Sequence, residues 1–471
     1  MTTYTIIGIV VTIVVFIGLS VFAGTRVKSV SDFISGSGKS SSFIVAGTIM
    51  GTLVGGASTV GTAQLAYTNG LSAWWFTLGG GIAALILAIC FIKPLRNAGS
   101  PTLVGIVCGE FGQNIGLLAS ILSSVGIFIN ILSQLLSAVA VIIVIAPTVG
   151  TVPALIIAAI LMVAYVTLGG IKGAGMVGML KLILLYFTVV FCAAAVLVLT
   201  KGLNAFLMSV SNLGGSFGLF SRGFGLDSGA CVSLIFGVLT TQTYGQAVMS
   251  GKTDRASRAG ALISTVMIPP VGIGGILVGL YMRTVNNPTV AGNTSLALTE
   301  FILHYVPPFL GGIMLATLLF AVVGTGAGLA LGISTIINND IVGKLLRNRL
   351  SSKTELLLSR MWIIIILAIG VVMAAVLGKT AIQSFSYMSM GLRGAVMFMP
   401  LMLALFAQNR VRKGFVLVSV IGGPVIVLIF GIWKVFSFDP LFIGLAFCLT
   451  VCLIGFFAGK KDGGVSNRLI S

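Results

Sequence analysis

The chain has 471 residues, of which 57% are hydrophobic and only 8% charged, with a formal net charge of +18. A soluble domain carries about 25% charged residues, so this composition excludes a water-soluble globule and places the chain in a bilayer. The positive charge does not point to nucleic acid, because the basic residues come in short clusters between apolar runs, as topology signals do.

The first apolar run, 4–23, has no basic residue before it, whereas Arg26 and Lys28 follow it. It reads as a retained first helix, not a cleaved signal peptide. Twelve further spans follow: 42–68, 72–93, 115–145, 151–168, 175–199, 229–250, 258–283, 308–338, 355–377, 380–407, 414–434 and 440–458. Thirteen crossings put the termini on opposite sides. With the N-terminus outside, twenty basic residues fall in inner loops and five in outer ones, a strong positive-inside bias that makes the C-terminus cytoplasmic. The expected location is the cell (inner or plasma) membrane, crossed many times. The remaining two of the 27 basic residues, Lys181 and Arg393, lie within spans. All nine acids map to loops or helix ends and none lies near mid-membrane, so an ordinary carboxylate proton relay has no candidate. The six cysteines and single histidine form no metal-ligand cluster and read as packing residues.

Two spans are too rich in glycine and hydroxyls to be plain anchors. The first contains Gly55-Gly56 followed by Ser58-Thr59; the second contains Gly237 and Thr240-Thr241. Unwound backbone at membrane depth is tolerated only where it is buried or lines a cavity, and there it binds solutes. The bland reading of each glycine is close helix packing. However, each segment is the first of five spans, and consecutive blocks of five have opposite orientation. The expected organisation is an extra helix and loop at 1–41, a first repeat at 42–199, a connecting loop at 200–228, a second repeat at 229–407, and two further helices with a tail at 408–471.

With "SDFISGSGKS", "GGASTVGTAQLAYTNGLSAWW", "YVTLGGIKG", "TTQTYGQAVMSGKTDRASRAGAL" and "LATLLFAVVGTGAGLALGISTIINNDIVGK" in this order and spacing, the chain resembles the sodium:solute symporter family. The resemblance implies an all-α polytopic fold of the leucine-transporter type, with a 5+5 inverted-repeat core whose first and sixth helices are broken. It implies cation-coupled uptake of a small-molecule solute by alternating access within the lipid bilayer, with no cofactor. It also implies a sodium site of carbonyls at Gly51, Val54 and Ala321 and hydroxyls at positions 324 and 325. Here those two positions are Gly324 and Thr325, so one hydroxyl is missing. Where members carry an aspartate and then a glutamine on core helix five, this chain has Gly178 and Lys181.

These three departures support a proton-coupled or sodium-independent carrier in which the Lys181 ammonium stands in the sodium's place. The competing account is that Lys181 snorkels to cytoplasmic water. A conventional sodium-coupled symporter with a weakened site at Gly51, Val54, Ala321 and Thr325 is the alternative.

Substrate contacts are expected at Gly55, Gly56, Ser58, Thr59, Thr77, Gly237 and Arg393. Arg393 suits a carboxylate or an outer-gate contact, or else it packs against carbonyls. Trp74 and Trp75 wall the site or form an interfacial belt. With few other polar side chains expected in the membrane, the solute is expected to be small, such as a carboxylate or amino acid. A sensor or receptor subunit needing a separate signalling partner, and an uncoupled facilitator, are the other classes. An enzyme lacks the clustered groups it would need.

Overall fold

The structure, a computed structural model, describes residues 1–24, 40–100, 102–213, 217–338, 352–377, 381–433 and 438–458. These residues are helical throughout, with no strand among them beyond a single parallel bridge between Ser40 and Gly251. In chain order the principal helices are α1 (Thr3–Gly24), α2 (Ser42–Leu53), α3 (Val60–Asn69), α4 (Trp75–Ile86), α5 (Leu103–Phe111) and α6 (Gln113–Ile145). Then come α7 (Thr151–Leu199), α8 (Phe224–Thr240), α9 (Gln242–Met249), α10 (Asp254–Thr284) and α11 (Ala297–Tyr305). The last are α12 (Pro308–Ile336), α13 (Ser352–Leu377), α14 (Ile382–Phe406), α15 (Lys413–Trp433) and α16 (Leu441–Phe457).

The helix ends follow from local chemistry. The Thr102 and Thr253 hydroxyls accept from the Gly105 and Ala256 amides at the starts of α5 and α10. Pro308 opens α12, where its missing N–H costs nothing. Gly70, at φ +62°, ends α3, and a Cβ there would lie 2.6 Å from the Phe217 backbone oxygen.

Both expected breaks are present. Helix α2 stops at Val54, whose backbone is extended, and α3 begins only at Val60. Helices α8 and α9 meet at the extended Thr241 with a bend of 53°. One expectation is corrected: 151–168 and 175–199 are not separated by a gap, because the backbone is helical from Thr151 to Leu199. No proline follows Pro153, and two adjacent glycines cost a helix only about 1 kcal/mol each. The two ends of α7 nevertheless pack differently, with Met162 and Tyr165 against α12 and Val189 against α10.

Eight described helical segments are individually long and apolar enough to cross a membrane, or nine with the bent α8–α9 pair. Four shorter apolar helices, Thr3–Phe16, Ser42–Leu53, Thr151–Val166 and Leu441–Phe457, accompany them. The number thirteen therefore rests on these shorter helices, not on length alone.

Small residues let the helices approach closely, as membrane packing without a hydrophobic drive requires. Helix α1 lies on α12, and a Cβ at Gly312 would overlap the Thr5 carbonyl. Near the ends of α2 and α9, the Ser40 amide donates to Ser250 O and the Lys252 amide to Ser40 O, both at 3.0 Å. Arg96 closes the same corner, donating to Gly251 O at 2.5 Å and pairing with Asp254 at 2.6 Å.

Gly312→Val is expected to destabilise the protein by about 1–3 kcal/mol, the usual cost of overpacking. Gly328→Ala, inside the same helix where a Cβ meets nothing within 4 Å, is expected to stabilise it by up to about 1 kcal/mol. Thermal unfolding in detergent compares the two.

Candidate transport site

The first break is held by its own hydroxyls and by α6. The Ser58 hydroxyl accepts from the Gly55 amide at 3.0 Å and donates to the Gly55 carbonyl at 2.9 Å, and Thr59 Oγ1 donates to that carbonyl at 2.8 Å. The Gly56 amide donates to Gln134 Oε1 at 2.9 Å. Ser58 and Thr59 are thus spent on the backbone they interrupt. Both glycines are required by approach: a Cβ on Gly55 would lie 2.7 Å from Thr325 Oγ1, and one on Gly56 would overlap Ser137.

Lys181, on α7, reaches this region. It is 2% exposed, so it does not extend to water. Its Nζ donates to Gly51 O at 2.9 Å and to Thr325 Oγ1 at 3.0 Å. Thr325 Oγ1 in turn donates to Ala321 O at 2.9 Å. Val54 ends α2 one turn beyond Gly51, its amide on Met50 O at 2.7 Å. Gly324 faces Tyr165, and a Cβ there would lie 3.2 Å from both Tyr165 Cζ and the phenolic oxygen, so a side chain at this position requires the tyrosine to shift by a few tenths of an ångström. Gly178 is helical, but its surroundings lie outside the described residues, as do those of Gly169 and Gly170.

The second break is held differently. Thr241 Oγ1 donates to Gly237 O at 2.5 Å. Arg393, 1% exposed on α14, donates from Nη1 to Thr241 Oγ1 at 2.6 Å, from Nη2 to Ser389 Oγ at 2.9 Å and from Nε to Ser389 O at 3.2 Å. The guanidinium is held by protein oxygens and by Met390 Sδ, 3.0 Å from Nη2. A Cβ at Gly237 would lie 2.5 Å from that of Met390.

Other expected contacts are also engaged. Thr77 Oγ1 lies 3.3 Å from both Trp74 O and Pro269 O. Trp74 Nε1 donates to Pro269 O at 2.9 Å and Trp75 Nε1 to Leu219 O at 2.6 Å.

The expectation of few intramembrane polar side chains is corrected. Asn130, Ser133, Gln134 and Ser137 on α6 and Gln383, Ser386 and Ser389 on α14 are all buried. Ser386 Oγ sits 2.8 Å from Ser133 Oγ and 3.0 Å from Asn130 Oδ1, and Ser389 Oγ donates to Gly126 O at 2.6 Å. The three- and four-residue steps 383, 386, 389 and 393 were the signal for one polar face of α14.

Gln383 is the residue that sequence reading missed. Its Nε2 donates to Thr62 Oγ1 at 2.9 Å and Ala57 O at 3.2 Å, while its buried Oε1 has no partner among the described residues. One turn on, Tyr387 meets the edge of Phe76 at 5.6 Å between centroids, and the Arg222 guanidinium lies 5.6 Å above its ring. Arg222 is paired with the fully buried Asp227 at 2.6 Å.

Two interrupted helices, a polar interface between them and carbonyls freed at membrane depth define a carrier of the inverted-repeat class. The chain belongs to the sodium:solute symporter family, whose model matches residues 33–423. It is 23% identical to the sodium/pantothenate symporter of Escherichia coli (strain K12), over 96% of this chain and 95% of that protein. Its fold is that of a solved Na+-coupled sialic acid symporter in a substrate-bound outward-open state, with TM-score 0.79, 17% identity, and coverage of 98% of this chain and 100% of that one. A nucleobase-cation-symport-1 family transporter solved closed around bromovinylhydantoin is a more distant match in fold, with TM-score 0.58, 14% identity, and coverage of 88% and 92%. The protein is accordingly a multi-pass membrane transporter of a small solute, not an enzyme.

Gly56→Ala is expected to cost about 1–3 kcal/mol by overpacking, and Gly56→Ala with Ser137→Gly to recover most of it, because the added methyl then has room. Thermal stability of the two variants in the same detergent measures the recovery.

Proposed function

We propose that this transporter is a symporter independent of sodium and driven by protons, with Lys181 standing where the coupling cation of its relatives would bind. The observation that carries this reading is the placement of Lys181 Nζ on Gly51 O and Thr325 Oγ1. A sodium ion about 4 Å from that ammonium would meet a repulsion of about 4 kcal/mol at an effective dielectric constant of ~20. That is roughly a thousandfold in affinity. The second hydroxyl of the sodium site is absent at Gly324, where Tyr165 packs close. A lysine that releases its proton on one side and regains it on the other supplies the switch that sodium binding supplies elsewhere.

The substrate site in this reading lies between the first break, α4 and α14, beside Thr62, Phe76, Gln383 and Tyr387. Gln383 Oε1 is its available acceptor. In this reading the guanidinium of Arg393, engaged by Thr241 and Ser389, serves the second break and not the solute. Arg222, paired with Asp227 and partly open to solvent, lies above Tyr387 at the edge of this region. With Arg393 engaged and the interior more polar than expected, a small carboxylate is supported in this reading by the E. coli relative named for pantothenate, which supplies a first probe. The N-terminus faces outward and the C-terminus the cytoplasm, following the loop charges.

The test is uptake of labelled pantothenate, and of a panel of small carboxylates and amino acids, into proteoliposomes. Accumulation is expected under an inward proton gradient with sodium absent. Lys181→Gln is expected to lose the proton-driven component by tenfold or more while still exchanging substrate at equilibrium. Strict sodium dependence that Lys181→Gln leaves unchanged would restore the conventional sodium site at Gly51, Val54, Ala321 and Thr325. Equilibration without uphill accumulation would mark a facilitator, and binding without uptake a sensor subunit.

A further inference from the structure

The two intramembrane basic residues occupy matching places in the two repeats. Lys181 lies on the fifth span of the first block of five, and Arg393 on the fifth span of the second. Lys181 reaches back to the first span of its block, at Gly51 in the last turn of α2. Arg393 reaches back to the first span of its own block, at Thr241, the residue that closes α8. In each case the cation arrives at the C-terminal end of a half-helix, where unpaired carbonyls carry partial negative charge.

The correspondence extends to third spans, but across the blocks. Lys181 bonds to Thr325 on α12, the third span of the second block. Arg393 lies against α6, the third span of the first block, where a Cβ on Gly126 would lie 2.7 Å from Arg393 Cγ. Ser389, which accepts two bonds from the guanidinium, donates its hydroxyl to Gly126 O at 2.6 Å.

We infer that Arg393 is a positioning residue for the second break, the second repeat's counterpart of Lys181, and that its guanidinium does the work of a bound cation at the end of α8. The inference stands on the Arg393 contacts and does not depend on whether Lys181 exchanges a proton. Loss of the guanidinium leaves Thr241 Oγ1 and both acceptors of Ser389 without their charged donor, so the α8–α9 junction opens more readily.

Hydrogen exchange on the purified full-length chain in detergent tests it. In Arg393→Ala, amides 238–245 are expected to exchange about tenfold faster, with amides 50–60 at the wild-type rate. Arg393→Lys is expected to restore part of the protection. Guanidinium chloride at low millimolar concentration, far below denaturing levels, is expected to restore it in Arg393→Ala, whereas equal sodium chloride is not. Lys181→Ala is expected to give the converse pattern, loosening 50–60 and sparing 238–245. Thr241→Val removes the acceptor together with the hydroxyl's own bond to Gly237 O, so if Arg393→Ala does not fold, Arg393→Met, which keeps the bulk and loses the charge, is the variant expected to expose 238–245. Wild-type protection at 238–245 in Arg393→Met or in Thr241→Val overturns the inference. So does a uniform rise in exchange across both breaks, α6 and α14 in Arg393→Ala, or protection indifferent to guanidinium.

Discussion

A cation buried at membrane depth without a carboxylate must be solvated by something, and in this protein broken helices supply it. Interrupting α2 and α8 frees carbonyls that an intact helix would bond to its own amides, and Lys181 and Arg393 bond to oxygens at those two ends. Hydrogen bonds to a charged group are worth about 1.5–3 kcal/mol each, against roughly 1 for neutral ones. The breaks and the cations therefore stabilise one another. Neither makes physical sense alone: an unwound segment without a donor leaves orphan acceptors, and a lone ammonium in the bilayer faces an insertion cost of at least ~2.5 kcal/mol.

Around that constraint the rest of the core is arranged for close approach and for satisfied hydroxyls. The serine and threonine side chains of the first break close back onto Gly55, which keeps the interruption rigid enough to present Gly51 O at one place. The α6–α14 seam, with Asn130, Ser133, Ser386 and Ser389, joins the neighbourhood of the first break to that of the second through side-chain oxygens. A partly satisfied buried network is costly, so the unpartnered Gln383 Oε1 and the Tyr387 hydroxyl one turn on stand out against it.

What could be read from the chain depended on whether it was local. The breaks were legible because Gly-Gly, Ser-Thr and Thr-Thr sit inside apolar runs, and the departures at Gly178, Lys181 and Gly324 were legible by position. The crowding of Gly324 by Tyr165 was not, since it joins residues about 160 apart. Nor were the partners of Arg393, because hydroxyls brought in by a different helix leave no local pattern and the eye looks for an acid. The helical continuity of 151–199 escaped for the opposite reason: a glycine pair suggests a turn, but backbone bonding there proceeds without one. The polar face of α14 was present in the spacing and was overlooked, because serine and glutamine at single positions look like ordinary packing.

The bridge between Ser40 and Gly251 joins the segment leading into α2 to the segment leaving α9, backbone to backbone, with Arg96 clamping the same corner. These are the far ends of the two half-helices whose near ends meet the membrane breaks. Linked in this way the two half-helices share one tether: for α2 to swing away from α9, both backbone hydrogen bonds and the Arg96 clamp must first part.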